Sequence, residues 1–202
     1  MIEIVINDKN AAEDLGAIVD SVVNPIATLK QIGRRGANEL KDWFRRRNLT
    51  PNKLGGRRTN FWRQVADSVN NPVIEGTDRV RISITHPAFA QKVFGGVITP
   101  KTAGALTIPV APEAHGRTVA VFEQETGIQL FRLRKKGGGF SNLLAGFGTD
   151  PKHFTVYYVL VASVDQAPDP DALPPRDQFF AAILDEALTS LSRQIRYPGS
   201  ST

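Results

Sequence analysis

The side chains in this sequence that could do chemistry are few and scattered. His86, His115 and His153 stand far apart, and none has the spacing of a metal-binding pair. Scattered histidines are ordinarily surface or capping residues, so no metal site is expected. Glu123 and Glu125 lie two positions apart, as do Asp169 and Asp171. On a strand or loop such a pair can face one way, but nothing apolar or basic nearby tunes either pair for acid–base work. Both read as solvated. The chain has no cysteine, which removes thiolate nucleophiles, disulfides and thiolate metal sites, and no serine sits in a Gly-x-Ser-x-Gly elbow. Lys135-Lys136 precedes Gly137-Gly138-Gly139, whereas a phosphate loop needs Lys-Ser/Thr opening a helix after its glycines. No catalytic residue and no cofactor is expected.

Charge is the stronger signal. The 202 residues carry a net +5, and it is unevenly placed. From Lys30 to Arg63 eleven basic residues face only Glu39 and Asp42. Such a block suits an acidic partner or nucleic acid. Arg45, Arg46, Arg47, Arg57 and Arg58, with Lys135 and Lys136, are the candidate contacts to phosphate or to a neighbouring subunit's carboxylates. Trp43, Phe44, Phe61 and Trp62 lie beside these arginines, where base stacking is conceivable. They fall on helical apolar stripes, however, so core packing is the better reading.

These residues must be positioned by a mixture of helices and strands. Residues 2–6 are rich in β-branched side chains and read as a short strand, and 10–23 have helical apolar spacing. Asn24-Pro25 reads as a cap and first turn, opening a helix to about Arg47 with Ile26, Leu29, Ile32, Ala37, Leu40, Trp43 and Phe44 on one stripe. Gly33 and Gly36 weaken it, which close packing or a bend would explain. A basic loop (48–58) leads to a second helix from Thr59, ended by Asn70-Asn71-Pro72. Residues 79–85 alternate cleanly as a strand, with Val80, Ile82 and Ile84 on one face. Shorter strands are expected at 106–110 and 128–136, with a turn at 111–117. Residues 137–150 read as a long flexible loop with apolar beads, Phe140, Leu143, Leu144 and Phe147, able to act as a docking arm that orders on assembly or to be an ordinary hairpin loop. Residues 154–164 are apolar on both faces and read as a central strand. A stiff Pro-rich connection leads to a closing helix over 176–196.

Helices first, then strands, then a helix argue for an α+β fold: a mainly antiparallel sheet packed against N-terminal and C-terminal helices, with long extended loops. The expected organisation is an N-terminal strand and helix extension (1–24), one α+β domain (25–197) and a flexible tail (198–202). The N-terminus lacks a signal-peptide layout, and no run of about 18 apolar residues suggests a membrane span.

One combination of motifs goes further. Phe89-Ala90 is followed by Phe94-Gly95-Gly96 and then Leu106-Thr-Ile-Pro109. Later come the Tyr157–Val164 strand, Pro168 to Pro175, and the helix holding Phe179 to Ile195. In this order they resemble the virion morphogenesis proteins of tailed phages, including tail-completion proteins of the type of the phage Mu G protein. Phe89 stands where that family has tyrosine, and Lys92-Val93 where it often has His-Gln. The resemblance implies a non-enzymatic virion protein that completes or terminates the tail and contributes to head–tail joining. It implies a homo-oligomeric ring in the neck, most often a hexamer, assembled in the host cytoplasm. Its partners would be connector and tail-tube proteins and packaged DNA. Phe89, Phe94, Gly95, Gly96 and Pro109 would then be the fold and assembly motif. The alternative is a basic nucleic-acid-binding module acting through residues 30–63.

Overall fold

The structure, a computed structural model, describes residues 2–6, 25–51 and 55–196. In chain order its elements are β1 (Ile2–Ile6), α1 (Pro25–Asn48), α2 (Phe61–Asp67), β2 (Val73–Glu75), β3 (Arg79–Ile84), α3 (Phe89–Phe94), β4 (Gly96–Ile98), β5 (Leu106–Pro109), a 3-10 turn (Pro112–Ala114), α4 (Val119–Thr126), β6 (Phe131–Arg134), β7 (Phe140–Phe147), β8 (Phe154–Val161), β9 (Val164–Gln166) and α5 (Arg176–Arg196). All strand pairs are antiparallel, and the α+β class holds. The strands form three sheets instead of the single one expected, in the orders β1-β3-β2, β4-β9 and β5-β8-β7-β6. The stretch read as one domain over 25–197 divides into two interleaved units. Unit 1 holds Met1–Leu49, Phe61–Phe94 and Pro168–Thr202; unit 2 holds Thr50–Asn60 and Gly95–Ala167. The expected 10–23 helix and 198–202 tail lie outside the described residues.

In unit 1 the alternation of β3 does what it predicts: Val80, Ile82 and Ile84 are buried while Arg79 is exposed. β1, expected as part of an extension, is built into this sheet, pairing Ile2 with Ile84 through to Ile6 with Val80. α1 lies on the buried face and brings Ala37, Leu40 and Phe44 into the core. Its two glycines are explained by close approach. A Cβ at Gly33 would stand 2.6 Å from Val80 Cγ2 and 2.8 Å from Pro72 Cβ, and one at Gly36 would stand 2.9 Å from Ile82 Cδ1. α5 packs along α1 through Phe179, Ile183, Ala187 and Leu191, each a turn apart. Between these helices the Ser190 hydroxyl donates to Thr28 Oγ1 at 3.3 Å, so the two buried hydroxyls satisfy one another. Leu184 and Leu188 of the same helix are about half exposed.

Unit 2 corrects the expected 137–150 loop. Residues 140–147 are β7, an interior strand hydrogen-bonded to both β6 and β8. It was disguised because adjacent Leu143 and Leu144 are both apolar, one on each face, so period-two alternation does not show. On β8, Leu144 pairs with Tyr158 but Ala145 pairs with Val156, leaving Tyr157 as an extra residue. Consecutive strand residues normally point to opposite faces. This bulge instead lets Tyr157 and Tyr158 both reach Phe122 of α4, with ring centroids 4.6 and 5.9 Å away. β8 is central, as expected, although β9 is a separate strand. The helix that covers it, α4, was not expected. Its signals were present: Thr118 caps it by accepting from the Val121 N–H, and Gly127 closes it at φ 71°. β6 starts at Phe131 instead of Ile128, and α2 is shorter than the expected helix, following Asn60 at φ 53°.

Gly33→Ala should destabilise unit 1 by roughly 1–2 kcal/mol, because overpacking outweighs the gain in helix propensity. Gly36→Ala should cost less, since the atom it meets is the far end of a flexible isoleucine. Urea midpoints of both variants check the order; a Gly33→Ala protein as stable as the parent would contradict the close approach.

Candidate functional site

The two motif glycines mark where the chain leaves unit 1. The boundary falls between Phe94 and Gly95. Gly95 (φ 68°) and Gly96 (φ 112°) take left-handed backbone that lets α3 stop and β4 start at once. Phe89 is fully buried, edge-on to Phe44 at 5.3 Å and to Trp62 at 6.4 Å. Phe94, by contrast, is 71% exposed, so it is free to contact another molecule instead of shaping the fold. Pro109 ends β5, an edge strand, where a missing N–H is tolerated.

The arginine block is divided between the units: Arg45, Arg46 and Arg47 belong to unit 1, Arg57 and Arg58 to unit 2. Several are already engaged. Arg47 makes a two-pronged pair with Asp169 at 3.2 and 3.0 Å, and its guanidinium lies 4.1 Å from the Trp62 ring centre. Both side chains of that pair are about three-quarters buried. Breaking it should cost roughly 2 kcal/mol, between the exposed and buried cases. Arg45 pairs with Asp42, Arg46 lies 5.8 Å from the Trp43 ring, and Arg57 reaches Glu125 at 3.4 Å. Arg45, Asn48, Arg63 and Asp67 line a shallow depression of about 280 Å³. Trp43, Phe61 and Trp62 pack against the buried core that contains Phe44, so they are core aromatics as expected.

Three of the four paired carboxylates hold structural contacts, while Asp171 is exposed, as read. Glu123 accepts from the Leu130 N–H at 2.8 Å, and Glu125 joins Arg117 at 2.7 Å as well as Arg57. Asp169 holds Arg47 and also accepts from the Asp171 N–H. Of the histidines, His115 Nδ1 lies 2.8 Å from the Arg57 carbonyl, and His153 lies 2.7 Å from Asp150. That bond, with the Lys152 N–H, holds the Asp150 carboxyl below its usual range. Among the described residues no group of three or more histidine and carboxylate side chains is placed to hold a metal ion, and no helix is long and apolar enough to cross a membrane.

What the chain presents outward is an apolar sheet face in unit 2. Rows run across the four strands: Ile108, Val159 and Leu143 in one, Phe154 and Phe147 in another, with Phe131 opposite Ala145. The opposite face carries Tyr158 and Leu144 and is covered by α4. On the first face Phe131, Phe147 and Phe154 are 37%, 47% and 50% exposed. Their rings stack on one another at 5.4 to 6.5 Å. The candidates Phe140, Leu143, Leu144 and Phe147 therefore do not form a docking arm. Phe147 and Leu143 belong to this face, Leu144 to the covered one, and Phe140 starts β7 at the other end. Sequence reasoning missed Phe131 and Phe154 because only the strand register brings them together.

Compared with protein-family models, curated proteins and solved structures, the chain gives no match.

On the covered face, burial pushes the Tyr158 hydroxyl above its ordinary value near 10, with Arg117 pulling it back. Its O–H points at the carbonyls of Ala114 and Arg117, 3.3 and 3.2 Å away. An unfolded tyrosine ionises first, so stability is complete below pH about 10 and falls as the pH rises through the higher native value. Tyr158→Phe should weaken this alkaline loss while costing about 1 kcal/mol at neutral pH. Urea midpoints at neutral and alkaline pH check both; equal alkaline losses in parent and variant would refute the assignment.

Proposed function

We propose that this chain is a structural, non-enzymatic protein of a tailed-phage virion or phage-like particle. It assembles as a ring in the neck, completes or terminates the tail, and helps join tail to head between connector and tail-tube proteins. The observation that carries this reading is the uncovered apolar face of the β5-β8-β7-β6 sheet with its three half-exposed phenylalanines. Monomeric proteins rarely leave contiguous apolar patches larger than a few hundred Å² uncovered, and such patches mark protein–protein contacts. We assign the face to the next copy of the chain. A closed ring needs two different complementary surfaces per subunit, and Phe94, exposed beside the Gly95-Gly96 turn, lies on another part of the chain suited to the second contact. The order of the Phe-Gly-Gly turn, the Leu-Thr-Ile-Pro strand, the tyrosine strand and the proline-led helix supplies the phage assignment, and with it the expectation of six subunits. Asp169 and Glu125 are occupied by Arg47, Arg57 and Arg117, which suits a scaffold better than a reaction centre.

Purified full-length protein should form discrete rings in negative-stain electron microscopy and a mass several times that of one chain in light scattering. Antibody labelling should place it at the head–tail junction of particles. Phe147→Ser with Phe154→Ser should give folded monomers that melt several degrees below the parent, since the pair loses half-buried cross-strand stacking as well as assembly. A protein that stays monomeric at high concentration and is absent from particles would end this reading.

A further inference from the structure

We propose that the β6–β7 hairpin is a nucleic-acid backbone-binding arm, with Arg132, Arg134, Lys135 and Lys136 as its phosphate contacts. The basic block at 30–63 is the more conspicuous in sequence, but its arginines are divided between two units, and Arg35, Arg45, Arg47 and Arg57 pair with carboxylates. The hairpin differs. Its four cations fall within five positions, all four residues are exposed, and no acidic residue occurs from Gly127 to Thr149. None of the four makes an ion pair among the described residues. Uncompensated positive charge on a projecting element is the electrostatic footprint of a phosphate-binding surface.

The geometry orders these charges in advance. The Arg132 guanidinium donates through two nitrogens to the Ser141 carbonyl at 3.1 and 2.9 Å, a neutral partner that fixes the side chain without cancelling its charge. Arg132 and Arg134 both lie over the Phe140 ring, 5.6 and 5.8 Å from its centre, and so share one side of the hairpin. The turn is closed by the Lys135 N–H to the Gly139 carbonyl and the Gly138 N–H to the Lys135 carbonyl, both at 3.1 Å. Gly137, Gly138 and Gly139 all have φ between 75° and 108°, and a Cβ on any of them would meet nothing within 4 Å. The tip is bare backbone in open space, where a phosphate can approach without steric obstruction. An acidic protein surface would be the rival partner. Phosphate contacts differ from it in carrying no base preference and in releasing counterions, which gives binding a steep salt dependence.

The test is fluorescence anisotropy of the full-length protein on labelled mixed-sequence duplex DNA across a salt series. Affinity should fall with salt at a log–log slope of about −3 to −4, as four phosphate contacts require. The variant R132Q/R134Q/K135Q/K136Q should bind at least about tenfold more weakly, with a much flatter slope. The variant R79Q/K101Q/K152Q/R193Q removes the same net charge from exposed positions elsewhere and should bind within about twofold of the parent. A melting curve confirms folding, and K135E/K136E at the turn gives an independent second variant. Equal loss in both quadruple variants, binding that ignores salt, or no DNA binding by the parent would overturn the proposal. None of these outcomes depends on ring formation, which is read separately by microscopy.

Discussion

The core of unit 1 is assembled from three stretches of chain that are distant in sequence, and the rest of the structure depends on that core closing. Phe44 comes from the first stretch, Trp62 and Phe89 from the second, Ala172 and Phe179 from the third. Apolar contact alone would tolerate several arrangements of such pieces. The Arg47–Asp169 pair tolerates one, because a planar fork must meet a carboxylate edge-on. Its ends are held as well: Trp62 lies under the guanidinium, and the Lys92 carbonyl accepts from the Asp169 N–H at 2.8 Å. One interaction thereby ties α1, α2, the end of α3 and the chain returning toward α5.

The elements legible in the sequence were those whose period is unbroken. α1, β3 and α5 were read nearly to their ends because the apolar spacing of each matches one regular geometry. β7 was not legible, since adjacent Leu143 and Leu144 are apolar on opposite faces and so hide the alternation that would announce it. α4 is eight residues long, too short for periodicity to speak, although its capping threonine and closing glycine were visible. The candidate site fared similarly. Charge shows in a sequence, but its neutralisation does not: nothing near Arg47 reveals a partner 122 positions away. The phenylalanine cluster was illegible for the same reason, being created by strand register.

Unit 2 shows how one irregularity sets two surfaces. Without the extra residue at Tyr157, one of the two tyrosines would face away from Phe122. With it, both commit to the covered side, and the remaining β8 side chains on the other side are aliphatic or phenylalanine. The bulge therefore concentrates polar aromatic groups under α4 and leaves an apolar face outside. The same sheet is asymmetric along its length, with stacked phenylalanines at the 147–154 end and uncompensated cations at the 135–139 end.

The interleaving of the units has a consequence for synthesis on the ribosome. Every residue of unit 2 precedes α5 in the chain, so its sheet can close without α5. Unit 1 cannot finish until α5, made after unit 2, supplies Phe179, Ile183 and the partner for Thr28. Until α5 arrives, the groove on α1 that will receive it stays open to water. Unit 2 can thus be complete while unit 1 waits, and the Gly95-Gly96 turn opens the longer of the two stretches that build it.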